Sequence, residues 1–465
     1  MTSTGVATIR RSTVQSSQQT IERKPVPPGE VLGRVRRYQH IDRLITDWAT
    51  TPGKLRMARI LLVLGLLLAG SVGVYAANAR VDTIRDVAEH LEPLNANVTT
   101  LYQSLADADA TVAAGFLSGG VEPREVRTRY DHDVAVATAS LARAGTQAGG
   151  ELVTANRIAD ITSQLPIYTG LVERARANNR QGLAVGVAYL RRASDLMQNS
   201  ILPAAAELQR RQAARLDDAY QRARAVPVVS LGACVMTLAG LAWTQIFVFQ
   251  RTHRIINIGL VAASAAVLTG LLWWTAAEAV SAGPLTSSHR HSQAVSDALG
   301  PAQIAALQAR AVESLGLVTR NGGSEPDFDA RMQQLARNGG AGGALGAAKQ
   351  FTTDPEGRAL VQAAVDDARS YAAAHQEVRR LDGIGEYTKA VDAAVNTHQA
   401  SAAAAFDRLA AALKTAVEYE RGAFGKDIDR ARGWLTGLPI GIGTLALIAA
   451  AGVALGIRQR LEEYR

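Results

Sequence analysis

Four stretches of the chain are apolar for the length of a membrane crossing, and between them apolar positions recur at helical spacing. The apolar stretches fall at 58–77, 226–249, 255–277 and 434–457. At about 1.5 Å per residue, a helix of that length covers a hydrocarbon core of roughly 30 Å. The two central stretches contain no Asp, Glu, Lys or Arg and flank a short basic turn, QRTHR, at 250–254. This pattern predicts a transmembrane helical hairpin with the rest of the chain arranged around it as two similar halves.

The segment 78–225 reads as four helices. Ile84, Val87, Leu91, Leu94, Val98, Leu101, Leu105, Ala108 and Val112 follow alternating steps of three and four, the seam of a long helix in a bundle. Pro93 lies within it and predicts a bend or local break. Glycine-containing turns follow at 118–123, after Ala144 and near 178–182, and the fourth helix runs on into the second span. The segment 278–433 repeats the plan. Gly119, Gly120, Glu122, Pro123 and Tyr168 recur as Gly322, Gly323, Glu325, Pro326 and Tyr371, all at one offset of 203 residues. Val391, Val395, His398, Ala402, Ala405 and Leu409 place its closing helix on one seam, and a longer glycine-rich loop follows its second helix. The expected fold is an all-α membrane protein: four transmembrane helices and two tandem extracytoplasmic antiparallel four-helix bundles related by internal duplication. Pro227 and Pro439, near the outer ends of the returning spans, are candidate hinges.

Charge sets the expected orientation. Residues 1–59 hold 11 Lys+Arg against 4 Asp+Glu, the QRTHR turn adds +2 and the tail after Ile457 adds +1. The two long segments balance at 0 and −2, so the whole excess of the net +8 lies on one side. The positive-inside tendency makes the leader 1–57, the turn 250–254 and the tail 458–465 cytoplasmic, and both bundles extracytoplasmic, in the cytoplasmic membrane. That excess is then a topology signal and gives no ground for nucleic-acid binding. Residues 1–30 read as disordered, and the remainder of the leader as an amphipathic stretch facing the bilayer or a cytosolic partner. The one cysteine, Cys234, falls in a span, so no disulfide forms within the chain.

No catalytic constellation stands out. The glycine-rich loop ends in Ala-Ala-Lys349-Gln and lacks the Gly-Lys-Ser/Thr of a phosphate loop. His289 and His291 point to different faces of a helix and read as a surface pair, Asp131-His132-Asp133 as a solvated face, and His398 as a core histidine. No metal and no cofactor is called for. The spans carry small residues suited to close helix packing, including Gly65, Gly70 and Gly73, Gly232 and Gly240, Gly259 and Ala263, and Gly437, Gly441 and Gly443. These faces permit a single four-span unit or half of a homodimer.

The bundles resemble the four-helix sensing domains of chemoreceptors, here in tandem. The whole layout, with its leader ending TDWATTPGKLR, four spans, two helical segments of about 150 residues and Ala/Arg-rich composition, resembles the GlnX-like actinobacterial membrane proteins. These are encoded beside an extracellular amino-acid-binding lipoprotein (GlnH) and the soluble serine/threonine kinase G. The resemblance implies a non-enzymatic sensor or adaptor that relays aspartate or glutamate availability from the lipoprotein to the kinase.

An up-down-up-down bundle puts its first and third turns farthest from the membrane. The expected docking residues are therefore Gly119, Gly120, Glu122, Arg124, Asn178 and Arg180 in one half. Gly322, Gly323, Glu325, Asp327, Arg380 and Asp382 take that place in the other. Output would pass through Arg34, Arg36, Arg37 and Trp48 of the leader and through Arg251 and Arg254 of the turn. Two alternatives remain: a receptor binding a small ligand within or between its own bundles, and a membrane scaffold or transporter accessory.

Overall fold

The computed structural model describes residues 51–119, 122–147, 151–225, 228–252, 257–320, 324–396 and 400–462, and these are helical almost throughout. The leader residues Arg34, Arg36, Arg37 and Trp48, together with Gly120, Pro227, Arg254, Gly322, Gly323, His398 and the side chain of Arg251, lie outside what it describes. Among the described residues four helices are long and apolar enough to cross a membrane.

The first half comprises α1 (Thr51–Asp86), α2 (Glu92–Leu117), α3 (Arg124–Gln147), α4 (Leu152–Arg180), α5 (Val185–Leu196), α6 (Leu202–Arg224) and α7 (Val228–Thr252). The second comprises α8 (Ile258–Gln293), α9 (Gly300–Thr319), α10 (Glu325–Leu335), α11 (Gly343–Phe351), α12 (Pro355–Gly383), α13 (Tyr387–Val395), α14 (Ala402–Leu435) and α15 (Leu438–Glu462). The spans belong to α1, α7, α8 and α15 and pack in a ring, α1 against α7 and α15, α8 against the same two. Small residues set the approach of α8 to α15. A Cβ on Gly259 would overlap the backbone of Gly452 and Gly456, and Asn257 Nδ2 donates to the Gly456 carbonyl at 3.1 Å. Gly65 and Gly232, by contrast, face open space.

Each outgoing span continues as one rod into the helical body, 56–117 in the first half and 258–319 in the second. These rods, and the returning helix of the first half, do not stay purely α-helical. Single π-turns occupy Val87–Leu91, Met197–Ile201 and Ala294–Leu299, and a proline follows each by two residues: Pro93, Pro203 and Pro301. A proline has no N–H for the carbonyl four residues back, and its ring crowds that carbonyl. Widening the preceding turn relieves both without breaking the rod. Glu92, Leu202 and Gly300 accordingly donate to Val87, Met197 and Val295, five residues back. The bend expected at Pro93 takes this form, and the same device recurs at two further prolines.

The seam read in α1–α2 is buried almost throughout, from Ile84 to Val112, with Leu91 half-buried. Yet α2 buries far more than one stripe, because it packs against α3 and α6 on one side and along α9 on another. Ala106, Ala108, Ala110 and Ala113 on α2, with Ala302, Ala305, Ala306 and Ala309 on α9, are all buried. The two halves therefore do not stand as separate modules. They lie side by side and share one hydrophobic core. Below it, toward the spans, Ile84, Leu216, Tyr220, Leu285, Phe424 and Ile428 from both halves form a second core, a stalk of four helices.

Two local expectations need correction. The closing helix of the second half is broken: α13 ends at Val395 and α14 restarts at Ala402, where the Ser401 hydroxyl accepts from Ala404 N at 3.1 Å. Asn396, extended at φ −66° and ψ 149°, ends α13, and the Ser401 cap starts α14 as a separate helix. The chain also breaks at Gly437, whose φ of +104° suits glycine, while Pro439 sits in the first turn of α15, where a proline costs nothing. The discontinuity at that membrane boundary is thus Gly437 rather than Pro439. In the glycine-rich loop, Gly340 (φ +85°) packs against Val365 so closely that any Cβ would overlap it, which seats α11 beside α12.

Candidate functional site

The membrane-distal end of each half is held by an ion pair between its second and third helices. Arg176 Nη2 donates to Glu122 Oε1 at 2.9 Å, and Arg379 Nε lies 2.8 Å from Glu325 Oε2 as an ion pair without hydrogen-bond geometry. The two arginines are themselves 203 residues apart, the offset already shared by Glu122 and Glu325 and by Tyr168 and Tyr371. Apolar spacing does not single out Arg176 and Arg379, although the common offset points to them. Glu122 and Glu325 are therefore internal clamps before they are docking charges. Arg176 is buried over the Tyr130 ring, 4.3 Å from its centre, and also holds Glu173 at 2.7 Å.

The other expected tip residues differ in what they do. Asn179 Nδ2 reaches the Gly119 carbonyl at 3.3 Å, joining the first and third turns. Asn178 turns back onto the Arg174 carbonyl, Arg380 pairs with Glu377 at 2.7 Å and Asp382 with Arg379 at 2.9 Å. Arg124, Arg180 and Asp327 are exposed.

Beneath the clamps, each half buries an acid from its first helix near a fully buried tyrosine, with different chemistry. Glu313 accepts from Arg310 at 2.5 Å, from His375 Nδ1 at 2.8 Å and from the Tyr371 hydroxyl at 3.2 Å. Phe328 stacks on His375, and Arg310 also donates to the Ala394 carbonyl at 2.8 Å. Burial opposes ionisation of Glu313, but His375 and Arg310 outweigh it and hold the carboxyl below its usual range. Asp109 in the first half has no ion-pair partner among the described residues. It accepts from Ser194 at 3.0 Å and Gln198 at 2.9 Å, and burial pushes its carboxyl up to about 6. The Tyr168 hydroxyl lies beside this carboxylate without hydrogen-bond geometry.

The histidines expected at the surface are inside the stalk. His289 Nε2 meets Asp217 at 2.7 Å, and His291 Nδ1 meets Glu420 at 2.5 Å with Asp427 at 3.8 Å from its other nitrogen. The hydrogen bond to Glu420 raises the His291 pKa. Their helix runs between α14 and α6, so positions on different faces are both covered. Asp133, expected on a solvated face, is also buried, whereas Asp131 and His132 are exposed. Among the described residues no three His, Cys, Asp or Glu side chains are placed to hold a metal ion.

Among the clefts at the junction of the halves, two flank the α2–α9 contact, which Gln103 and Gln303 bridge. One, of about 490 Å³, lies between α2–α3 and α9–α14. It contains Asp107, Arg129, Asp133 and Asp407; burial, with Asp107 nearby, pushes the Asp133 carboxyl up to about 7. The other, of about 460 Å³, lies between α2–α6 and α9–α10. Among the described residues its charged wall residues are Arg210 and Arg331. Both clefts are thus built from helices of the two halves together.

Residues 83–221 match the family model described as an actinobacterial sensor domain. The match begins where α1 leaves its span and ends near the close of α6, so it covers the first helical body. It supports a sensing role for this chain. No curated protein and no solved structure matches it.

Proposed function

We propose that the chain is a non-enzymatic transmembrane sensor and adaptor. Its helical bodies lie outside the cytoplasmic membrane, and both termini and the 250–254 turn lie inside. It relays aspartate or glutamate availability from an extracellular solute-binding lipoprotein to a cytoplasmic serine/threonine kinase. The observation that carries the sensing role is the sensor-domain match over helices that run without a loop from a candidate span into the shared core. A displacement between the halves would then reach the other side of the bilayer along rigid rods. The one-sided positive charge supports the orientation. With Glu122 and Glu325 engaged in clamps, docking at the distal turns falls to Arg124, Arg180, Asp327 and Arg380.

The test is two-sided crosslinking in native cells followed by gentle extraction and identification of what co-purifies. Recovery of a solute-binding lipoprotein and a kinase supports the relay; recovery of the chain alone contradicts it. A second reading, direct binding of a small ligand between the halves, is favoured by the clefts at their junction, one of which opens against the buried, unpaired Asp133 Oδ2.

A further inference from the structure

We infer that the cleft between α2–α6 and α9–α10 binds a small organic carboxylate. This deepens the direct-ligand reading and rests on it. The cleft is rich in donors and poor in acceptors. Arg210 from the first half and Arg331 from the second both line it, as does Tyr102. Neither has a carboxylate within ion-pair distance among the described residues. Arg210 Nε reaches only the Ala206 carbonyl at 3.4 Å, and Arg331 Nη1 only Gln334 at 3.1 Å. The nearby Glu207 is already held by Arg157 and Arg211, each at 2.8 Å.

Two further groups in the wall lack partners. Among the described residues neither the Tyr102 hydroxyl nor the Gln308 amide makes a hydrogen bond, and both residues line the cleft. Two guanidinium groups in one wall make the cleft positively charged, and the fork of each matches a carboxylate. The remaining wall includes Leu202 and Ile304, which suit a carbon skeleton better than an inorganic oxyanion. The four donors come from four helices, two in each half. A carboxylate seated among them would draw the halves together at the junction from which both outgoing rods descend.

The test is calorimetric titration of the full chain in lipid nanodiscs with L-aspartate, L-glutamate, succinate and inorganic phosphate. The expected result is saturable binding of at least one carboxylate at one site per chain. R210Q and R331Q should each weaken it by about tenfold or more, and the double variant should abolish it. R210K, which keeps the charge and loses the fork, should fall between. D133N, in the opposite cleft, should bind like the unaltered chain. Both arginines are outside the core, so an unchanged thermal melt checks that the variants fold. Absence of carboxylate binding, binding unaltered in the double variant, or binding of phosphate in preference to the carboxylates would each overturn the inference. Co-purification of the lipoprotein and kinase reads the relay separately, so either idea can fail alone.

Discussion

Arg80 Nη1 lies 2.8 Å from Glu278 Oε2, joining the first and third spans across the two halves just where those spans leave their apolar stretches. The side chains are 9% and 24% exposed, so neither charge has water enough to replace its partner. R80Q or E278Q alone should destabilise the protein by about 2 kcal/mol, since each leaves a mostly buried group unpaired. The double variant should cost less than the sum of the two. Thermal melts of the four proteins in nanodiscs form the double-mutant cycle, and strict additivity would show that the pair is not coupled.

Glu313 and Asp109 should respond differently to loss of charge. E313Q leaves Arg310 buried without its anion and should cost about 3–5 kcal/mol. D109N removes a carboxylate that burial already disfavours and keeps an acceptor for Ser194 and Gln198. It should change stability by less than about 1 kcal/mol at pH 7. Chemical denaturation of both variants makes the comparison, and equal losses would refute the assignment of Arg310 to Glu313.

Acidification from pH 8 to pH 6 should stabilise the helical body. Burial raises the Glu92 and Asp133 carboxyls to about 7, so the folded state binds protons there that the unfolded chain does not. Stability from a raised acid is lost as pH rises through its folded pKa and recovered as pH falls. His291, raised by Glu420, acts in the same direction. Each carboxyl should contribute about 1 kcal/mol over this interval. E92Q and D133N should flatten the profile, and a melting temperature that falls toward pH 6 would contradict the direction of these shifts.

The packing of spans α8 and α15 should fail with a larger residue at Gly259. G259V forces a side chain into the Gly452 and Gly456 backbone and should cost about 1–3 kcal/mol. G232V faces open space and serves as the control. Equal melts for the two variants would rule out this contact.

The spans and the buried seam of α1–α2 are legible in the sequence because both are patterns within one helix: an unbroken apolar length, and a stripe at steps of three and four. Such a pattern says which face is buried without saying against what. The joining of α2 to α9 is therefore hidden from it, although alanines on several faces of both helices mark a close approach. Tyr168 and Tyr371 stand out through their common offset, and Arg176 and Arg379 share it, but the offset does not say that they pair with Glu122 and Glu325. The burial of His289, His291 and Asp133 depends on which helices cover them, and helical spacing carries no record of that. The π-turns need a proline inside a rod that tertiary contacts keep continuous, so proline alone predicts only a break.

Transmission from the helical body through the spans is the central claim, and a distance across the far ends of the spans tests it most directly. Spin labels at Met57 and Ile258, both exposed, in a Cys234→Ser background would report the separation of α1 and α8 by pulsed electron resonance in nanodiscs. With L-aspartate or L-glutamate added, alone or with the co-purified lipoprotein, the distance distribution should shift. A distribution that stays the same under every one of these additions would contradict signalling through the rods.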